Sequence, residues 1–195
     1  MTIFTQADLE NLQVSDKINL INSLPGIKSV NLIGTKSKVG YENLAIFSSV
    51  IHLGSNPPLI GFIHRPKSIF GHTMQNIEST GLYTINNIQQ HLVSDAHKTS
   101  GKFDQHISEF VECNLNPIYL NDFYAPFVEE SNVKYGLELK EIVPIQQNGT
   151  FLIIGEVITL IVDPRFLTAS YTIDHMKAGT IGVIGVDEYI GIQPV

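Results

Sequence analysis

Apolar and polar positions trade places along this chain mostly with the period of a strand. Ser29–Thr35 sets Val30, Leu32 and Gly34 against Asn31 and Ile33. Val133–Ile145 sets Val133, Tyr135, Leu137 and Leu139 against Lys134, Glu138 and Lys140, which predicts a half-buried strand. Thr150–Val162 is a long run rich in β-branched residues, and the Asn148-Gly149 pair before it is a strong hairpin signal. Leu44–Leu53 and Leu59–His64 read as two further strands, the first interrupted by Ser48 and Ser49. Between them Ser55-Asn56-Pro57-Pro58 is a turn cluster that no central strand could hold. Leu82–Ile88 is the sixth strand candidate.

Helical spacing is confined to short pieces. Thr5 can cap a helix running through Asp8 to Leu12, and Lys17–Leu24 is a second, ended by Pro25-Gly26. Thr73–Thr80 is a third, stopped by Gly81 in the left-handed conformation that glycine tolerates. His91–Lys98 and Ile107–Cys113 have helical character, while Leu115–Ser131 is irregular and rich in aromatics. A loop that long tends to be functional or to cover something. The strand–helix alternation of a doubly wound sheet is missing. The pattern predicts a mainly β (α+β) fold, a small antiparallel barrel with helices packed outside. One domain over 1–195 is expected, with a core of about 25–165 and an extension over 166–195.

Charge removes several functions. The net charge of −7 and the lack of a basic run argue against a nucleic-acid partner. One cysteine, Cys113, allows no internal disulfide, and no histidines pair at metal-binding spacing with a carboxylate, so no metal is expected. The N-terminus carries acids where a signal peptide needs cations, and no run reaches membrane-spanning length, so the expected compartment is the cytoplasm. Gly179–Gly185 is spaced G-x-x-G-x-x-G and is followed by Val186-Asp187-Glu188-Tyr189, which is not an amphipathic helix. It reads as loop and strand, not as a dinucleotide fingerprint. No nucleophile elbow or other catalytic constellation is visible, so no catalytic residue is assigned.

Scarce cations make the remaining ones informative. Only Arg65 and Arg165 are arginines, and Arg65 stands in His64-Arg65-Pro66-Lys67-Ser68, just before Gly71-His72-Thr73 opens a helix. Arg65, Ser68, Thr73 and a helix start brought into one neighbourhood suit a phosphate, since backbone N–H groups and a guanidinium both favour an anion. An exposed arginine at a strand end is the ordinary alternative.

These residues carry a resemblance. Asn43-x-Ala45-x-x-Ser48, Ser55-Asn56-Pro57-Pro58-Leu59, Arg65, Thr73-x-x-Asn76-Ile77, Thr80-Gly81, Asn86, Ser108-Glu109-Phe110 and Gly155-Glu156-Val157 occur in an order that resembles the flavin reductase-like, FMN-binding split-barrel family, over roughly residues 25 to 165. The resemblance implies a six-stranded antiparallel Greek-key split barrel with peripheral short helices that forms a homodimer. It also implies that Asn43, Phe47, Ser48 and Ser49 lie along the flavin, partly through backbone groups. Asn86, His97 and Thr99 are further cofactor-binding candidates, with turn and helix-cap roles as the alternative. The function expected is an FMN-binding, NAD(P)H-dependent flavin reductase. The alternatives are an FMN-binding electron carrier or sensor without nicotinamide turnover, and a ligand-binding barrel with no flavin. Ile181, Val183, Ile184 and Val186 are expected to help cover the dimer surface.

Overall fold

The structure is a computed structural model that describes residues 1–66 and 71–193. Seven strands form one antiparallel sheet in the order β3-β2-β6-β9-β10-β5-β4. They are β2 (Asn31–Lys36), β3 (Glu42–Phe47), β4 (Ile51–Ser55), β5 (Pro58–His64), β6 (Leu82–Asn87), β9 (Val133–Ile145) and β10 (Thr150–Val162). A second sheet joins β1 (Lys28–Ser29), β11 (Ile181–Ile184) and β12 (Glu188–Gly191), and β7 (Pro117–Ile118) pairs with β8 (Phe127–Val128). The helices are short: α1 (Gln6–Asn11), α2 (Val14–Ser23), α3 (His72–Thr80), α4 (Val93–Lys98) and α5 (Glu109–Glu112). No helix among the described residues is long and apolar enough to cross a membrane.

The β9–β10 hairpin matches its predicted bounds, and Gly149 takes φ +72° at the turn. Irregularities between Ile154 and Gly155 and between Val157 and Thr159 bend β10, as β-bulges do in strands that must curl. The apolar run over 44–53 is not one strand. It breaks at 48–50, and its halves, β3 and β4, lie at opposite edges of the sheet. The expected six strands therefore become seven, in the expected fold class.

The curled sheet closes where those edges meet. The Phe47 ring of β3 meets Phe62 of β5 edge-on at 5.0 Å. Ser49 then crosses to β5: Ile63 N–H donates to its hydroxyl oxygen and the hydroxyl donates to Ile63 C=O, both at 3.1 Å.

Two apolar layers hold the fold. Inside the barrel Ile33, Phe62, Tyr83, Ile85, Leu137 and Ile153 pack together, with Met74 and Ile77 of α3 among them. Outside, Leu32, Leu44, Leu92, Phe110, Val128 and Val183 pack beneath α4, α5 and the C-terminal strands. Strand β2 is thus buried on both faces, Ile33 inward and Leu32 outward. Each fully buried Ile, Leu or Phe contributes about 1.5–3 kcal/mol. Ile181 and Val183 belong to this chain's own core, so they cannot serve as a partner surface. Val186, by contrast, is exposed.

Candidate functional site

Strand β3 ends the sheet on one side, so half of its backbone groups face away from β2. The pairing sets Asn43, Ala45 and Phe47 opposite Thr35, Ile33 and Asn31. Leu44 N–H points outward, because the Glu109 carboxylate accepts it at 3.0 Å. Backbone direction alternates along a strand, so Ile46 presents its N–H and C=O on the same open side. Beyond it the chain bends through Ser48 before Ser49 turns in to β5. A donor and an acceptor side by side on a sheet edge match a planar ligand with alternating donors and acceptors along one rim.

Helix α3 stands next to this edge. Asn43 Nδ2 donates to Thr73 Oγ1 at 3.0 Å and to Thr35 Oγ1 at 3.2 Å, and Asn76 Nδ2 donates to the same Thr35 oxygen at 3.1 Å. All four residues are buried, so this cluster fixes the start of α3 against β3. Gly71 at the N-cap supplies no side-chain hydrogen bond, which leaves the positive end of the helix uncapped by a side chain. Arg65 is exposed at the end of β5, and its carbonyl lies 2.6 Å from His64 Nδ1. Phe47 lies between Phe62 and His64, with the His64 ring 6.0 Å away.

The sequence candidates thus divide. Asn43 and Thr73 meet at the start of α3, Phe47 and Ser49 pack against β5 just short of Arg65, and Ser48 lies in the bend after β3. Ser68 lies outside the described residues. Asn86 is fully buried within the sheet: its Nδ2 donates to Leu32 O at 3.1 Å, and its Oδ1 accepts from Val128 N–H at 2.9 Å. That anchors β8 to the sheet. Thr99 donates to Ala96 O at 2.7 Å and finishes α4. His97 is exposed, its Nδ1 2.7 Å from the Tyr189 hydroxyl on β12.

Two residues not singled out as binding candidates matter here. Glu109 is 5% exposed, and burial pushes its carboxyl up from the ordinary value, opposed by the Leu44 N–H and by nearby His72. His72, the first residue of α3, is buried with Nε2 3.2 Å from Phe103 O and no partner for Nδ1 among the described residues. In sequence both look ordinary, one an acid in a first helical turn and the other a residue at a helix start.

A cavity of about 570 Å³ lies elsewhere, lined by Ile27, Val50, Ile60, Tyr135, Val157 and Leu160 among others. It contains none of the candidate residues. Its asparagines, Asn31 and Asn87, bond to each other at 2.6 Å. Size would favour this cavity over the β3 edge, but the outward backbone groups and the helix start both lie at β3.

No curated protein sequence matches the chain. A structure described as a flavin reductase with split barrel domain, from Shewanella frigidimarina NCIMB 400, is 42% identical. The match covers 100% of this chain and 97% of that one, with a TM-score of 0.97. Nitrilotriacetate monooxygenase component B from Bacillus cereus (20% identity, TM-score 0.88, 100% and 97% covered) shares the fold. So does flavoredoxin of Desulfovibrio vulgaris Miyazaki F (22%, TM-score 0.75, 87% and 89% covered). The flavin reductase like domain model matches residues 27–178. That span takes in the whole barrel and every described candidate, and this chain belongs to the flavin reductase like domain family.

Proposed function

We propose that this chain is an FMN-binding oxidoreductase that accepts hydride from NAD(P)H. The observation that carries the reading is the open edge of β3 beside the start of α3. The outward Ile46 N–H and C=O suit the pyrimidine rim of a flavin, which alternates carbonyl acceptors with an N–H donor. Arg65 and the first N–H groups of α3 suit a terminal phosphate. Phe47 and His64 supply flat walls next to that edge. The bound flavin would supply the redox chemistry, while the chain orients it and leaves one ring face open. No acid–base residue is needed for hydride transfer itself. The run Gly179–Gly185 enters strand β11, so it supplies no helix for an adenosine half. FMN is therefore the better fit than FAD. Denaturing the purified protein and separating the released flavin tests this: FMN is expected, and FAD as the main species refutes the choice.

The working form in this reading is a cytoplasmic homodimer. Ile51 and Leu53 on β4 and Ile158 and Leu160 on β10 are all more than 40% exposed, and α2 buries none of its apolar residues. Such surface, with the apolar cavity beside it, calls for a cover. Light scattering at micromolar concentration should give twice the chain mass, and a monomer that still holds FMN refutes it.

A further inference from the structure

We propose that Glu109 is a positioning residue for the β3 edge, and that its carboxylate takes up a proton when the flavin bound there is reduced. The proposal rests on the flavin reading above. Glu109 opens α5, is buried, and accepts the Leu44 N–H. By doing so it closes the outward ladder at Leu44 and leaves Ile46 as the first free position. Two residues of strand span about 7 Å. The carboxylate is thus one step along the edge from the groups assigned to the flavin rim. A buried charge at that range is poorly screened.

Few charges offset it. His72 of α3 is the cationic candidate beside Glu109. On α5, Glu112 points to solvent, and the Cys113 thiol is pushed up to about 11 by burial and then by Glu109. From β3 the charged neighbour is Glu42, held by the Tyr119 hydroxyl at 2.6 Å. From α4, Lys98 is paired with Asp95 at 2.7 Å.

Hydride from the nicotinamide brings two electrons and a proton, leaving the reduced flavin with one negative charge. Oxidised flavin beside an ionised Glu109 has a total charge of −1. After hydride transfer, a proton from solvent on the carboxylate restores −1. Without that proton, two negative charges would face each other along the edge. Burial already biases the carboxyl toward its neutral form.

A purely structural Glu109 would only accept the Leu44 N–H, and glutamine does that equally well. The test is the midpoint potential of the FMN-loaded protein, measured from acid to neutral pH in the wild type and in Glu109→Gln. The variant should hold reduced over oxidised flavin at least tenfold better at neutral pH, about 30 mV for a two-electron couple. The two curves should converge in acid. Superimposed curves with FMN bound overturn the proposal and leave the flavin reading standing. A wild type that binds no FMN fails that reading, and the proposal with it. Should Glu109→Gln not fold, the reduced-minus-oxidised infrared spectrum of the wild type decides. A new protonated-carboxyl band supports the proposal, and its absence overturns it.

Discussion

The Ser49 hydroxyl satisfies both backbone groups of Ile63, accepting from the N–H and donating to the C=O at 3.1 Å each. A single side chain thus acts as a missing strand, joining the end of β3 to β5 where the barrel splits. It also fixes the backbone two residues before Arg65. Ser49→Ala leaves both groups without that partner, at a cost of about 1–3 kcal/mol. Urea unfolding should show a lower midpoint with unchanged slope. An unaltered midpoint means that water or a neighbour replaces the hydroxyl.

The Tyr83 hydroxyl occupies the space where Gly155 lacks a side chain, and it has no hydrogen-bond partner among the described residues. Gly155→Ala should destabilise by about 1–3 kcal/mol through overpacking. Tyr83→Phe should be neutral or stabilising by up to about 1 kcal/mol, since it removes an unpaired buried group. The double variant should lose less than the sum of the two, because they share one space. Thermal unfolding of the three variants measures this, and strict additivity contradicts the contact.

Arg65→Ala should weaken FMN binding about tenfold or more, since a charge-assisted hydrogen bond contributes roughly 1.5–3 kcal/mol. Fluorescence quenching of FMN by the apo-protein reads the dissociation constant. No change would make Arg65 an ordinary exposed residue.

Local pattern carried much of the fold. Val133–Ile145, Thr150–Val162 and the Asn148-Gly149 turn were legible because strand period and turn chemistry are short-range properties. The break of the 44–53 run was not, because its cause lies across the barrel, where Ser49 bonds to Ile63. Burial of β2 on both faces was equally hidden, since the outer layer comes from α4, α5 and strands more than 100 residues away. In the site, Asn43, Thr73 and Arg65 follow from their neighbours in sequence, and Asn43 and Thr73 meet in space. Asn86 has the same chemistry in sequence, but its amide is spent on Leu32 and Val128. Glu109 stood in the sequence only within Ser108-Glu109-Phe110, with no role of its own, because acids are common in first helical turns anyway. Only its contact with Leu44 gives it a role at the edge.

Glu109 should also leave a mark on the pH dependence of folding. Unfolded, its carboxyl ionises near the ordinary 4.5, while burial keeps the folded form protonated to higher pH. Its contribution to stability is therefore complete below 4.5 and is lost as pH rises through the raised folded value. Glu109→Gln should gain on the wild type as pH climbs from that acid range toward neutral. Chemical unfolding of both proteins at several pH values checks this. A constant difference across the range would place the carboxyl at its ordinary value.

The central claim is that this edge holds an FMN that NAD(P)H can reduce. The most direct measurement mixes the FMN-loaded protein with NADH, then with NADPH, without oxygen, and follows bleaching of the flavin's visible absorbance. Bleaching by at least one nucleotide, faster than that of free FMN under the same conditions, is the predicted result. Equal or slower bleaching with both, FMN still bound, contradicts the reductase reading and leaves an electron carrier in its place.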